Sequence, residues 1–330
     1  MKNIYVISGV AGMTGNELAR KLLLTDSIVI GFDNFFASSI KNIEDLQENR
    51  NFYFFEYDLN CNDSMTKLKT FLSKNFLNNN LSFINCAAIV HTKHFYEVND
   101  TFETNVIGMK SFLDMAIDLK VKSYINCSTS EIYSMQSWIE GGVKESNSVL
   151  IDTAEASQRT SYATGKLLTE FFLRDAVHKG KIRGCSVRFA NVYSSDELYA
   201  EHIIPYIIDS FMKSKKIILL ENSKINQRSF LHNYDSCSSI ISLLESEDSL
   251  DGSVYNVGTD EEIKIVDLVD LIAKKMYVED YEIEYVGYRE SDPRRRLLNT
   301  EKIRNTTNWK PKIDLNKGLD MCIEYRMKSV

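Results

Sequence analysis

Tyr162 and Lys166, in Tyr162-Ala163-Thr164-Gly165-Lys166, are the residues of this chain best suited to do chemistry. Four residues apart, they share one face of a helix. A phenol with a reference pKa of ~10 is a poor base near neutrality, but a neighbouring ammonium favours its phenolate. Upstream, Ser128-Thr129-Ser130-Glu131-Ile132-Tyr133 follows a β-rich run and adds hydroxyls and a carboxylate. Thr129 can hydrogen-bond the same substrate hydroxyl that Tyr162 would deprotonate. A tyrosine and lysine at this spacing are also an ordinary surface pair, so their meaning rests on what precedes them.

What precedes them is a nucleotide-binding turn. Gly9-Val10-Ala11-Gly12-Met13-Thr14-Gly15 follows an apolar run and opens a helix. Gly9 suits the positive φ of a tight turn, Gly12 lets backbone N–H groups near Met13 approach a pyrophosphate, and Gly15 allows close helix packing. The helix N-terminus then favours the phosphates. Asp33 ends the second strand eighteen residues after Gly15, where a carboxylate would bond both ribose hydroxyls of NAD and repel the 2′-phosphate of NADP. The Asp33-Asn34 pair also suits a plain turn. Asp58-Leu59, after the third strand, offers a carboxylate to an adenine amino group or a cap to the next helix. Ala87-Ala88 leaves room for a flat ligand, and Asn105, an amide within a helix, calls for a polar partner. With a dinucleotide in place, Tyr162, Thr129 and a ribose-holding Lys166 make a set for hydride transfer from a carbinol carbon.

The elements that must position these groups alternate as a parallel sheet requires. Strands are expected over Asn3–Ser8, Ile28–Phe32, Phe52–Tyr57, Ser82–Cys86, Ser123–Cys127 and Arg183–Arg188. Helices are expected over Asn16–Leu24, Met65–Phe76, Thr101–Leu119 and Ser161–His178. Six strands predict an α/β, Rossmann-type doubly wound parallel sheet. Beyond Arg188 the pattern is less regular, with a helix over Ile203–Lys213, a strand over Lys216–Leu220, a helix over Tyr234–Leu244, a strand over Ser253–Val257 and a helix over Val266–Met276. Residues 1–188, joined by 233–257, then form the NAD-binding domain, and 189–232 with 258–330 a smaller C-terminal substrate-binding lobe.

Composition narrows the partners. A net charge of −7 gives no electrostatic footprint for nucleic acid or an anionic membrane. No apolar run approaches the ~18 residues of a membrane span, and the opening apolar run is broken by Ser8 and Gly9, so it reads as a strand. Six cysteines, none in a C-x-x-C pair, read as free thiols in a reducing, cytoplasmic setting. His91 and His94 are spaced like metal ligands but have no acidic or cysteine residue nearby, so no metal is expected.

The ordered motifs resemble the NAD-dependent epimerase/dehydratase family, the extended short-chain dehydrogenase/reductases acting on nucleotide sugars. The resemblance rests on Gly9/Gly12/Gly15, Asp33, Asp58, Ala87-Ala88, Asn105, Ser128–Tyr133, Tyr162/Lys166 and Arg188-Phe189-Ala190-Asn191-Val192-Tyr193. It continues through Gln227-Arg228-Ser229-Phe230, Tyr255-Asn256-Val257-Gly258, and Asp292-Pro293-Arg294-Arg295 to Asn308-Trp309-Lys310-Pro311. It implies oxidation of a hexose at C4 with Tyr162 as base, and a nucleotide-diphosphate substrate gripped by Ser130, Asn191, Arg228 and Arg294. It also implies a homodimer built on the helices of residues 101–119 and 161–178, whose apolar residues burial within one subunit would explain equally well.

Within that family Glu131 discriminates. Thr129-Ser130-Glu131 resembles the Thr-x-Glu of dehydratases and decarboxylases, where the carboxylate moves a proton near C5, whereas 4-epimerases often carry an uncharged residue there. The resemblance favours a 4,6-dehydratase over a 4-epimerase, a C4 dehydrogenase or a glucuronate decarboxylase. Ser130 replaces an aspartate of the deoxythymidine-diphosphoglucose dehydratases, which argues against that enzyme. A non-catalytic dinucleotide-binding regulator on the same fold is the alternative of another class, and Glu131 as an ordinary loop residue is the bland one. The long segment 134–160, with Trp138, Gly141-Gly142 and Arg159, departs from the family pattern beside the sugar site. Of Arg289, Arg294, Arg295 and Arg296, at least two are expected on a solvated basic face.

Overall fold

The computed structural model describes residues 2–76, 80–156, 160–197, 199–289 and 292–328; Arg159 lies outside them. Seven parallel strands form the central sheet: β1 (Asn3–Ser8), β2 (Ile28–Asp33), β3 (Phe52–Glu56), β4 (Asn80–Asn85), β5 (Ser123–Thr129), β6 (Gly184–Phe189) and β7 (Asp251–Val257). Their order is β7-β6-β5-β4-β1-β2-β3. The chain turns back between β1 and β4, which opens a crevice beyond the carboxyl ends of those strands. Six strands were expected in this sheet; the seventh, β7, comes from the irregular second half and pairs with β6.

Both faces of the sheet are covered, which is why its strands read as nearly continuous apolar runs. The helices are α1 (Met13–Leu23), α2 (Asn62–Phe76), α3 (Val98–Phe102), α4 (Met109–Asp118), α5 (Thr160–His178), α6 (Ile203–Lys213), α7 (Asn233–Glu245), α8 (Ile265–Lys275), α9 (Glu301–Thr307) and α10 (Leu315–Lys328). On one face Ile7, Ile125 and Val187 pack with Leu18 of α1 and Ile240 of α7. On the other, Val6 and Phe83 pack with Leu68 of α2, Phe112 of α4 and Leu173 of α5. A separate core of Ile207 and Ile208 (α6), Leu268 (α8) and Leu319 (α10) builds the smaller lobe, which carries the short strand pair 216–219 with 282–285.

Where the sequence suggests one helix over 101–119, the structure has α3 and α4 joined by a π-helical turn, Glu103–Gly108. Such turns insert a residue into the helical ladder and re-aim side chains. This one carries Asn105, and Gly165 of α5 sits against it: a Cβ there would lie 3.1 Å from Cγ2 of Val106.

Polar groups inside the sheet fix how α5 lies on it. Asn126 of β5 donates to Oγ1 of Thr169 at 2.9 Å. The stronger tie is an ion pair with both side chains about 5% exposed, Arg188 of β6 with Glu170 of α5, joined by Nε–Oε1 (2.9 Å) and Nη2–Oε2 (2.6 Å) bonds. Ser128 Oγ donates to the same carboxylate at 2.5 Å, and Arg188 donates to the hydroxyl of Tyr133. Tyr133 in turn bonds Asn256 of β7, which reaches the carbonyls of Val143 and Asn299.

Removing one partner of such a pair strands a buried charge. Glu170→Ala is therefore expected to destabilise the fold by about 3–5 kcal/mol in urea-denaturation experiments. A loss below about 1 kcal/mol, the level of an exposed pair, would show that the pair is not holding the sheet to α5.

Candidate active site

The glycine turn fits a dinucleotide because side chains are excluded where the ligand and the helix must come close. Gly9 has φ +69°, and a Cβ there would sit 2.8 Å from both N and Cα of Ala87. A Cβ on Gly15 would lie 2.2 Å from the carbonyl oxygen of Gly9. The first turn of α1, with Gly12 at its N-cap and Met13 first, has neither an acidic residue nor a side-chain cap, leaving its amide dipoles for an anion. Asp33 is buried at the end of β2 and accepts from Ala11 N at 3.0 Å, Phe35 N at 2.9 Å and Ser38 Oγ at 2.9 Å. Its carboxylate thus ties the glycine turn to β2 and also makes the turn that the Asp33-Asn34 pair suggests.

The remaining cofactor candidates divide. Asn34 donates to Asp58 at 3.1 Å, joining the loops after β2 and β3 at the rim of the crevice; Asp58 does not cap α2, which starts at Asn62. Ala87 N donates to Ser8 Oγ at 3.2 Å, so Ala87-Ala88 runs beside the end of β1. Asn105 finds the polar partner expected of a helical amide in the backbone of Ile89, accepting from its N–H at 2.7 Å and donating to its carbonyl at 3.1 Å, and so fixes the loop after Ala88. The Leu59 side chain is buried in the core, where a Cβ on Gly108 would touch it at 3.0 Å, which fixes the backbone that follows Asp58.

The reactive groups converge at the end of β5. Thr129 closes the strand and its hydroxyl accepts from Glu131 N at 3.1 Å, starting the 3₁₀ turn Ser130–Tyr133. Ser130 is buried within that turn. Tyr162 and Lys166 lie on the buried face of α5, 5% and 2% exposed. Burial pushes the Tyr162 phenol well up and the nearby Glu131 carboxylate adds to the rise, while a hydrogen bond with Thr129 and the charge of Arg296 oppose it. Burial pulls the Lys166 ammonium down, against Cys127, Cys86 and Glu170, which favour its charge. Beside the lysine that the sequence names, the folded site adds Thr129 and Arg296 as groups that favour the phenolate.

Arg296 is the residue sequence reasoning missed. Only 7% exposed, it ion-pairs with Glu131 and donates to Asn191 Oδ1 at 2.9 Å. Ser134 Oγ donates to the other Glu131 oxygen at 3.0 Å. Nothing in a run of three arginines marks the third as the buried one. Arg295 pairs with Glu262, and only Arg294 of the three is exposed, lining a cavity of about 430 Å³ with Ser137, Trp138, Gln227 and Arg295. Arg228, expected to grip phosphate, has a buried guanidinium that pairs with Asp292 at 3.2 Å and donates to the carbonyl of Pro293 at 2.7 Å, since a buried charge requires a counter-ion. Phe95, also missed, stacks on Tyr162 with centroids 4.1 Å apart and planes 9° apart. The unusual segment adds Met135, Leu150 and Ile151 to a small pocket beside Glu131. His91 lies in an aromatic group with His94, Tyr199 and His202, and no cluster of three metal-type ligands occurs among the described residues.

A Rossmann-type sheet with a glycine turn, a strand-end Asp and a Thr/Tyr/Lys set defines a dinucleotide-dependent enzyme of the short-chain dehydrogenase/reductase type. Residues 5–258 match the NAD dependent epimerase/dehydratase family, and the chain belongs to that family. It is similar to a dTDP-D-glucose 4,6-dehydratase of Mus musculus, 25% identical over 98% of this chain and 88% of the relative. Among solved structures it superposes on a UDP-glucose 4-epimerase of Thermotoga maritima (TM-score 0.86, 21% identity, 99% of both chains). It also superposes on DesIV, a dTDP-glucose 4,6-dehydratase of Streptomyces venezuelae (TM-score 0.85, 20% identity, 98% and 97% of the chains).

The opposite influences of Glu131 and Arg296 on the phenol can be separated. Glu131→Gln removes a charge that raises the Tyr162 pKa, so the alkaline rise in the rate of carbinol oxidation should move to lower pH. Arg296→Gln removes a charge that lowers it, so the rise should move to higher pH. Single-turnover pH profiles read both; shifts of the same sign, or none, would contradict the geometry.

Proposed function

We propose that this chain is a nucleotide-sugar 4,6-dehydratase, with Tyr162, Thr129, Lys166 and Glu131 as its catalytic residues. The observation that carries the reading is Glu131: a carboxylate held by Arg296 and Ser134 close enough to Tyr162 to shift its ionisation. Asp33, Asn34 and Asp58, the glycine turn with Met13, and Ala87-Ala88 would hold NAD, whose bound ring supplies the acceptor and later the donor of the substrate's hydride. Tyr162 takes the proton of the C4 hydroxyl, with Thr129 orienting that hydroxyl and Lys166 the ribose. The resulting ketone acidifies C5. Glu131 removes that proton and delivers it to the departing 6-hydroxyl, which leaves as water. Ser130 and Asn191 border the sugar, and exposed Arg294, beside Trp138, suits the diphosphate.

This reading places NAD binding in residues 1–188 with 233–257 and the sugar nucleotide against 189–232 and 258–330. The burial of Tyr162 and Lys166 beside the half-buried Thr129 at the end of β5 argues against a non-catalytic regulator. A homodimer fits the same surface: Phe102, Leu168 and Phe171 are 47%, 39% and 61% exposed, whereas Val106, Met109 and Phe112 are spent on the monomer core. No helix among the described residues is long and apolar enough to cross a membrane, and the free cysteines suit a cytoplasmic setting.

A panel of nucleotide sugars analysed by product mass tests the reaction: loss of water is expected, while unchanged mass would mean an epimerase, loss of carbon dioxide a decarboxylase, and loss of two hydrogens a dehydrogenase. Tyr162→Phe should lower turnover roughly 10²–10⁴-fold with NAD still bound. Glu131→Gln should still reduce the cofactor yet release almost no dehydrated sugar; full dehydration by that variant would remove the basis for this branch.

A further inference from the structure

Two thiols meet at the floor of the cofactor crevice, outside the chemistry described above. Cys86 follows β4 directly and Cys127 lies within β5, and the parallel register that pairs Asn85 with Asn126 sets them side by side. Their sulfurs are 3.7 Å apart. Neighbouring strands run about 4.8 Å apart, inside the 4.4–6.8 Å range of Cα separations that disulfides span. Cys127 is buried and Cys86 half-buried. The S–H of Cys86 and the charge of Lys166 favour a thiolate on Cys127.

We propose that Cys86 and Cys127 form a reversible oxidation site, closed by a hydroperoxide, whose closure disables the cofactor cradle. The Cys127 thiolate attacks one oxygen of hydrogen peroxide, breaking the O–O bond and releasing hydroxide, and becomes a sulfenic acid. Cys86 sulfur then attacks the sulfenic sulfur. The S–S bond forms, hydroxide leaves and takes up the Cys86 proton as water. Two thiols lose two electrons, and one peroxide becomes two waters.

Closure acts on the cradle because nothing there has slack. An S–S bond is about 2.05 Å long, so the sulfurs must approach by more than an ångström from 3.7 Å. Cys86 adjoins Ala87, whose backbone already lies where a Cβ on Gly9 would sit at 2.8 Å, and Cys127 lies two residues before Thr129. Movement at either sulfur is passed to the glycine turn on one side and to the end of β5 on the other. Of the other cysteines, Cys61 is exposed, Cys185 and Cys322 are buried, and buried Cys237 donates to the Thr14 carbonyl of α1 at 3.4 Å.

The test uses the purified full chain treated with hydrogen peroxide, with and without saturating NAD. Intact mass, non-reduced peptide mapping and calorimetric NAD affinity are then measured. Expected are loss of two hydrogens, a peptide joining Cys86 to Cys127, and NAD affinity weakened about tenfold or more, equal to about 1.4 kcal/mol. Dithiothreitol should reverse all three, and bound NAD should slow them. In Cys86→Ala, or Cys127→Ser should the first not fold, peroxide should leave that variant's own NAD affinity unchanged. Absence of the cross-link, a cross-link without weaker NAD binding, or equal weakening in the variants would each overturn the proposal. Because the readout is NAD binding, the outcome is independent of whether the sugar is dehydrated.

Discussion

The buried pair of Arg188 and Glu170 is the constraint on which the active site depends. Taking two charges out of water is costly, and the cost is met only when geometry and further hydrogen bonds are complete. Completeness here requires Ser128 from the end of β5, Tyr133 from the turn after it, and Asn256 from β7. These partners bracket Thr129–Glu131 on one side, while Glu170 lies one turn beyond Lys166 on α5. The pair that seals the sheet against α5 therefore also sets the distance between the strand-end hydroxyl and carboxylate and the helix-borne phenol and ammonium.

Electrostatics within the site follow from that enclosure. Burial alone would keep Tyr162 protonated and Lys166 less basic, so the groups around them decide how far each can act. Glu131 and Arg296 neutralise each other, which lets a carboxylate stand beside a tyrosine without fully suppressing its ionisation. The same pair anchors Asn191 through Arg296. Phe95, stacked on the Tyr162 ring, covers one of its faces.

The segment 134–152 is more than an insertion. It is stitched to the tail by pairing of Val143 with Leu298, and Gly142, at φ +86°, passes where a Cβ would lie 2.7 Å from the backbone of Leu298 and Asn299. Tail and segment thus form one wall, with Met135, Leu150 and Ile151 beside Glu131 and Trp138 beside Arg294. Apolar side chains thus stand next to the Glu131 carboxylate.

Local features were legible in the sequence because local sterics and spacing cause them. The glycine turn, the alternation of strands and helices, the carboxylate after β2 and the Tyr162/Lys166 face each depend on residues close in the chain. The helix ends shifted by only a few residues, as fraying and caps allow. What only the tertiary structure decided is where long side chains turn for partners distant in sequence. Arg228 turned inward to Asp292 and Arg296 to Glu131, and Asn105 closed on Ile89. A buried charge or amide takes whichever partner the fold brings within reach, and spacing along the chain does not encode that distance.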